Sequence, residues 1–169
     1  MSEFVPLKDT AVVTAILSSI SLLGGVPDHK RAGVLSLLEF GIVKKGEFVF
    51  RKGEEPRYIY IVKSGCIELC ITDDDVLIDK KALCVGESFG EASLMSMHCH
   101  TATAVAMEDS EMIVLSRRAL ICLQHEDIEL FALLMMNIAR ELARRLQLTD
   151  DILLHYMHSR DQTAVTAPA

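Results

Sequence analysis

The stretch SFGEASLMSMHCHTATAV, Ser88 to Val105, decides how this chain is read. It opens on a Gly-Glu turn, passes through small and apolar residues, and ends in His98-Cys99-His100-Thr101. Gly90 lets the backbone take a positive φ or come close to a ligand. The amides of Glu91, Ala92 and Ser93 would then stand at the start of a helical turn and favour an anion. The Glu91 carboxylate would repel a phosphate but accept hydrogen bonds from a sugar hydroxyl. Together, the glycine turn and the glutamate point to a phosphorylated sugar whose two ends are read by different groups.

On both sides of this stretch the apolar residues recur with a period of two. From Phe40 to about Ser116 the chain reads as short strands separated by turn residues. Phe48–Phe50 precedes Lys52-Gly53-Glu54. Tyr58–Val62 precedes Lys63-Ser64-Gly65, and Cys66–Thr72 precedes Asp73-Asp74-Asp75. Val76–Val85, Thr101–Met107 and Met112–Leu115 complete the series. Evenly spaced short strands of this kind predict an antiparallel sandwich or barrel.

Helical spacing brackets the strands. Thr10–Leu23 reads as a helix stopped by Gly24-Gly25. A second runs over His29–Glu39, with Asp28 as N-cap and Leu35, Leu37 and Leu38 on its buried face. Arg118–Gln124 reads as a short helix and Asp127–Met157 as a long one. In the long helix Phe131, Met135, Ile138, Leu142, Leu146, Thr149 and Leu153 recur at spacings of three or four. About thirty residues give roughly 45 Å of helix, too long to lie wholly against one small β domain. A second copy of the same helix is the simplest partner for its apolar stripe, so a homodimer through helix 127–157 is expected. The alternative is a helix folded back over the β domain. The segments are therefore N-terminal helices over 1–40, a β region over 41–116 containing the 88–105 stretch, C-terminal helices over 117–158, and a disordered tail over 159–169.

Composition narrows the functional classes. The chain has 169 residues, half of them hydrophobic, enough for one domain with a sizeable core plus an appendage. Seventeen basic against 24 acidic residues leave a net charge of −7, and no Lys/Arg run occurs, so DNA binding by this chain alone is not expected. No segment has the ~20 apolar residues of a membrane span, and the N-terminus lacks the basic start of a signal peptide. The expectation is a cytoplasmic protein. Five cysteines, an odd number without a CxxC, fit a reduced compartment rather than a disulfide framework.

The glycine positions carry a resemblance. Gly46-x-x-x-Phe50-x-x-Gly53-Glu54, followed by Tyr58-x-Ile-x-Val-x-x-Gly65-x-Ile-x-Leu, resembles the early strands of the cyclic nucleotide-binding domain family. Catabolite activator proteins and the regulatory subunits of protein kinase A belong to that family. Phe89-Gly90-Glu91-x-x-Leu94 resembles the start of the family's phosphate-binding cassette, and Thr101-Ala-Thr-Ala-Val-Ala106 the strand that leaves it. The resemblance covers about Leu22 to Met157. It implies an α+β, mainly β fold: an eight-stranded antiparallel jelly-roll β-barrel flanked by N-terminal helices and a long C-terminal helix. It also implies a ligand, cAMP or cGMP, and a regulatory rather than catalytic role, with an unidentified protein effector. Glu91 would take the ribose 2′-hydroxyl, and the amides from Glu91 to Ser93 the cyclic phosphate. Thr101 would add a hydroxyl to the phosphate, and Thr103 would lie beneath the ligand.

One position departs from the pattern. The family's cassette ends in an arginine that clamps the cyclic phosphate, and the matching residue here is His100. A neutral imidazole lacks arginine's permanent charge and forked donors, at a cost of about 1.5 to 3 kcal/mol, ten- to hundredfold in affinity. A protonated His100 would replace part of it below about pH 6.5. Cyclic nucleotide binding is therefore expected to be weak or pH-dependent. The alternative is a degenerate, non-binding member kept as a dimeric interaction module.

Other clusters read more simply. His98-Cys99-His100 offers metal ligands, but a structural zinc needs four and none is obvious beyond a distant Cys84, so no metal is expected. His155 and His158 read as charges favouring a helix C-terminus. Asp73-Asp74-Asp75 reads as a hairpin tip. No cofactor is implied, and no catalytic motif is convincing.

Overall fold

The computed structural model describes residues 4–7, 20–73 and 76–165. Among the described residues nine strands are present: β1 (Val5–Pro6), β2 (Leu38–Val43), β3 (Phe48–Phe50), β4 (Tyr58–Ser64), β5 (Ile67–Asp73), β6 (Val76–Leu83), β7 (Ser88–Phe89), β8 (Thr103–Ala106) and β9 (Ser110–Ser116). Four α-helices accompany them among these residues: α1 (Arg31–Leu37), α2 (Glu91–Ser96), α3 (Arg117–Glu126) and α4 (Ile128–Val165).

The strands form two antiparallel sheets, ordered β1-β2-β9-β4-β7 and β3-β8-β5-β6. Two points of the sequence reading change here. Among the described residues the strands number nine rather than eight, and no ladder joins the two sheets into a closed barrel. The strands missed from sequence are β1, β2 and β7. Two residues cannot display a period of two, which hides β1 and β7. The apolar residues of β2 follow α1 without a turn, so Leu38 and Glu39 look like helix. They instead pair with Leu115 and Val114 of β9, and α1 ends at Leu37.

The five-stranded sheet is buried on both faces. Ile59 and Ile61 of β4, with Ile113 and Leu115 of β9, point toward the helices and pack with Leu22, Leu35, Leu38, Leu120, Leu130, Leu134 and Ile138. Their neighbours Tyr60, Val62, Met112 and Val114 point the other way, into the space between the sheets. There they meet Val49, Phe50, Ile67, Leu83, Ala104 and Ala106 of the four-stranded sheet and Phe89 of β7. Strict alternation along β4 and β9 therefore feeds two cores rather than one core and one wet face. Gly65 joins β4 to β5 with φ of 85°, and a Cβ there would collide with Ser110.

The helices differ from expectation at their ends. Residues 8–19, most of the first expected helix, lie outside the described residues, and Ser21–Leu23 forms a 3-10 turn. Asp28 is not an N-cap: it lies within a second 3-10 turn, Asp28–Lys30, and pairs with Arg31 at 2.8 Å. Asp127 does cap α4, its Oδ1 accepting from the Leu130 amide at 3.0 Å. Lys30 reaches the same carboxylate at 2.8 Å.

The 38 residues of α4 span roughly 57 Å. The helix passes Met157 and continues through Val165, so 159–165 is helical rather than a disordered tail. His155 consequently lies well inside the helix rather than at its end. Residues 74–75, the tip of the acidic run, lie outside the described residues; Asp73 and Val76 pair on either side.

Asn137 pins the N-terminal segment to α4. Its buried Nδ2 donates to the Leu22 and Gly24 carbonyls at 3.1 and 2.8 Å, and its Oδ1 accepts from Arg140. These bonds satisfy carbonyls at the end of the 3-10 turn that would otherwise be buried without partners.

Candidate functional site

The cassette begins where β7 pairs with β4, Phe89 opposite Tyr60. The two rings stack with centroids 5.1 Å apart, and Phe89 is fully buried. Gly90 follows with φ of 83°. A Cβ there would lie 3.0 Å from the Tyr58 carbonyl oxygen and from the Tyr60 ring, so both conformation and space require glycine. This tight turn sets Glu91 as the first residue of α2. Leu94 then anchors the helix in the outer core. Ala92 is exposed and Ser93 half-buried on the same short helix.

Among the described residues Glu91 is the most deeply buried acidic side chain. Its side chain is 0% exposed, and neither carboxylate oxygen receives a well-formed hydrogen bond from the protein. Among the described residues its one close cation is Arg145 of α4, whose Nη1 stands 2.5 Å from Oε1. Burial pushes the Glu91 carboxyl above its usual range. Arg145 opposes this, as does Glu91's own amide, while nearby Glu141 adds to it. Arg145 is itself held by Glu141, Nε to Oε1 at 2.8 Å, and by the Ser88 carbonyl, to which Nη2 donates. Arg144 adds a second ion pair to Glu141 at 2.6 Å, and these partners hold the Glu141 carboxyl below its usual range. One guanidinium therefore ties the cassette strand, the cassette glutamate and the long helix together.

The far end of the cassette is organised differently. Met97 takes a left-handed conformation, and His98 and Cys99 are exposed. His100 turns inward. Its amide donates to the Glu54 carbonyl at 2.9 Å, and its carbonyl accepts from the Gly53 amide at 2.8 Å. Its ring lies 3.6 Å from that of Phe50 at an interplanar angle of 6°, and the residue is 3% exposed. Burial lowers its pKa from the usual 6.5, with Glu54 opposing. His100 is therefore a buried member of an aromatic cluster, and burial works against the protonated form expected to stand in for arginine.

The threonines are similarly divided. Thr101 is exposed. The Thr103 hydroxyl accepts from the Lys52 amide at 3.1 Å and so holds the loop after β3. Among the described residues no three His, Cys, Asp or Glu side chains gather as a metal site. A cavity of about 320 Å³ opens between Phe4, Phe48, Phe50, Tyr58 and Tyr60, flanked by Arg51, Arg57, Glu54 and Glu55. No residue from 88 to 105 lines it, but Phe50 and Tyr60 of its wall stack on His100 and Phe89 of the cassette.

Sequence reading found Phe89 to Ser93 together on one turn. It missed Arg145 as their partner, although the Glu141–Arg145 spacing of four marks one face of α4.

Comparison with known proteins agrees with the geometry. Residues 42–127 match the family profile described as "Cyclic nucleotide-binding domain". The human cGMP-dependent protein kinase 2 is 33% identical over 106 residues, covering 60% of this chain but 14% of the kinase. The cyclic AMP receptor protein of Thermus thermophilus is 34% identical over 117 residues, 69% of this chain and 52% of that protein. The chain thus spans a small part of the kinase and about half of the receptor. In structure, a cyclic nucleotide-binding domain from Methylobacillus flagellatus superposes with a TM-score of 0.75 at 19% identity, covering 86% of this chain and 82% of that one. The Thermus thermophilus catabolite activator protein gives 0.70 at 29% identity, covering 81% and 63%. The regulatory subunit of a cAMP-independent protein kinase A from Trypanosoma brucei, a triple mutant bound to cAMP, gives 0.63 at 21%, covering 76% and 45%. With the glycine-positioned glutamate, the two sheets and the matched profile in agreement, the chain belongs to the cyclic nucleotide-binding domain family.

Proposed function

We propose that this chain is a non-catalytic sensor module that binds cAMP or cGMP weakly at the cassette and signals through α4. The observation that carries the reading is the buried Glu91 carboxylate, whose oxygens accept no well-formed hydrogen bond from the protein and whose counter-charge is a guanidinium from α4. A ribose hydroxyl would supply the missing donor. Phe89, Gly90, Ala92 and Ser93 would shape the turn and present amides to the phosphate, with Thr101 adding a hydroxyl. A ligand that draws on Glu91 changes what Arg145 is held by, and so biases α4. The exposed end of α4 would form a homodimer or meet an effector in the cytoplasm. Weak affinity follows from the buried His100.

A second reading has its own observation. The Phe50–His100 stack occupies the arginine's position in the cassette with an apolar contact. The Trypanosoma brucei neighbour is described as cAMP-independent, and one of the three substitutions in its cAMP-bound form introduces an arginine. A non-binding member retained as an interaction module is the corresponding alternative here.

Calorimetric titration with cAMP and cGMP separates the two. Micromolar to sub-millimolar binding that weakens ten- to hundredfold in Glu91→Ala supports the sensor. No heat, and no thermal shift up to millimolar ligand, supports the interaction module.

A further inference from the structure

The cavity beside β3 and β4 collects aromatic residues in a chain that has few. Phe4, Phe48, Phe50, Tyr58 and Tyr60 line it, three of the six phenylalanines and two of the three tyrosines. Its volume of about 320 Å³ accommodates a two-ring ligand. Phe4 packs on Tyr58 and Tyr60 with centroids 5.1 and 6.1 Å apart, and Phe50 packs on Tyr60 at 5.5 Å. Tyr60 is 4% exposed, and among the described residues its hydroxyl makes no hydrogen bond. A buried phenol without a partner costs free energy, and an oxygen of a bound molecule would supply that partner. Burial pushes the Tyr60 phenol above its usual range, which keeps it a neutral donor.

The charges around the cavity are unevenly used. Arg51, Arg57, Glu54 and Glu55 flank it, all exposed. The Arg51 guanidinium lies over the Phe48 ring, 4.0 Å from its centroid. Among the described residues no carboxylate stands within ion-pair distance of Arg57. Arg57, Tyr58 and Glu55 also line a neighbouring hollow of about 450 Å³, where Arg117 and Arg118 join them from the start of α3. No acidic residue occupies the first turn of α3, so the helix end adds to this positive field rather than meeting a counter-charge. Positive charge is thus concentrated on the Arg57 side of the cavity, in a chain whose net charge is −7.

We propose that this cavity is a second ligand site, taking a small aromatic anion whose ring lies among the phenyl and phenol rings and whose acidic group faces Arg57. Flat rings pack favourably on aromatic walls, and a guanidinium pairs with a carboxylate through two parallel donors. The site does not depend on nucleotide binding at the cassette. It nevertheless shares walls with it, since Phe50 stacks on His100 and Tyr60 on Phe89. An occupant that shifts either ring is therefore felt at both ends of the cassette.

The test uses 2-naphthoate as probe, with 2-naphthylmethanol as its uncharged counterpart and cyclohexanecarboxylate as its non-aromatic one. Each is titrated calorimetrically into the wild-type chain and into Arg57→Met, Tyr60→Phe and Lys80→Met. Arg57→Met is expected to weaken 2-naphthoate about tenfold, the low end for a charge-assisted contact, and to leave 2-naphthylmethanol within about twofold. Tyr60→Phe keeps the ring and is expected to weaken 2-naphthoate about fivefold, the worth of one hydrogen bond. Lys80, exposed on β6, is the control for net charge, and its variant stays within about twofold. Unchanged thermal unfolding of each variant confirms that folding is intact. No saturable binding of 2-naphthoate up to millimolar concentration overturns the proposal. So do equal losses in Arg57→Met and Lys80→Met, or a cyclohexanecarboxylate that binds as tightly as 2-naphthoate. Strict competition between 2-naphthoate and cyclic AMP would make the cavity part of the nucleotide's own pocket, and would overturn it as a second site. A chain that binds 2-naphthoate and no cyclic nucleotide supports this site and removes the sensor reading alone.

Discussion

From Ile128 to Arg145, α4 lies against the five-stranded sheet and buries Leu130, Leu134 and Ile138, with Phe131, Met135 and Leu142 packed around them. Farther along, the same stripe is exposed: Leu146 is 62% exposed and Leu153 54%. In sequence the two halves look alike, since the spacing of three and four runs through both. They differ in what faces them. The first half meets the outer core of its own chain, whereas the second has passed beyond it. A continuous stripe is therefore covered by its own fold over the first half and exposed at Leu146 and Leu153 in the second, the surface proposed above for a second molecule. A helix folded back over the β domain describes its first half; the homodimer through helix 127–157 stays a proposal for the second.

Replacing a residue in each half sharpens the contrast. Leu134→Ala empties a fully buried position and should cost about 2 to 5 kcal/mol in denaturant unfolding. A loss under about 1 kcal/mol would mean that the first half is not the anchor described here. Arg145, at the boundary, should give the next largest effect. Arg145→Met leaves the buried Glu91 carboxylate without its cation, and because the arginine is partly exposed the expected cost is about 2 kcal/mol at pH 7.5. Burial already raises the Glu91 pKa, and losing Arg145 raises it further, so the folded state binds a proton more readily than the unfolded chain. Stability of this variant should therefore recover as pH falls through the raised Glu91 value, and decline as pH rises through it. Adding Glu91→Gln should abolish that pH dependence; its persistence would assign it to another group. The smallest effect on stability belongs to Ile152→Glu, within about 0.5 kcal/mol for the isolated chain. Sedimentation should nonetheless show a shift from dimer to monomer. An unchanged oligomeric state would break the division of α4 into an inner and an outer half.

Much of the fold was legible because it rests on local pattern. Tyr58–Val62 and Met112–Leu115 gave β4 and β9 directly, although their burial on both faces makes them near-continuous apolar runs. The register of β2 was not legible, since only its pairing with β9 distinguishes Leu38 and Glu39 from more helix. The site divides in the same way. The glycine spacing marked Glu91, because a tight turn and its helix are made by neighbours in sequence. Arg145 comes from α4, and nothing near Glu91 in the chain announces it. His100 was located by counting, but its stacking on Phe50 depends on a loop pairing with Gly53 and Glu54 that counting does not reveal.

That stack has a spectroscopic consequence. With its ring 3.6 Å above Phe50, the His100 imidazole lies in the shielding cone of a neighbouring aromatic current. Its carbon-bound protons should resonate upfield of those of exposed His98. Any event that pulls the cassette's end away from the loop at Gly53 would return them toward ordinary positions, which makes this imidazole a built-in reporter of cassette movement.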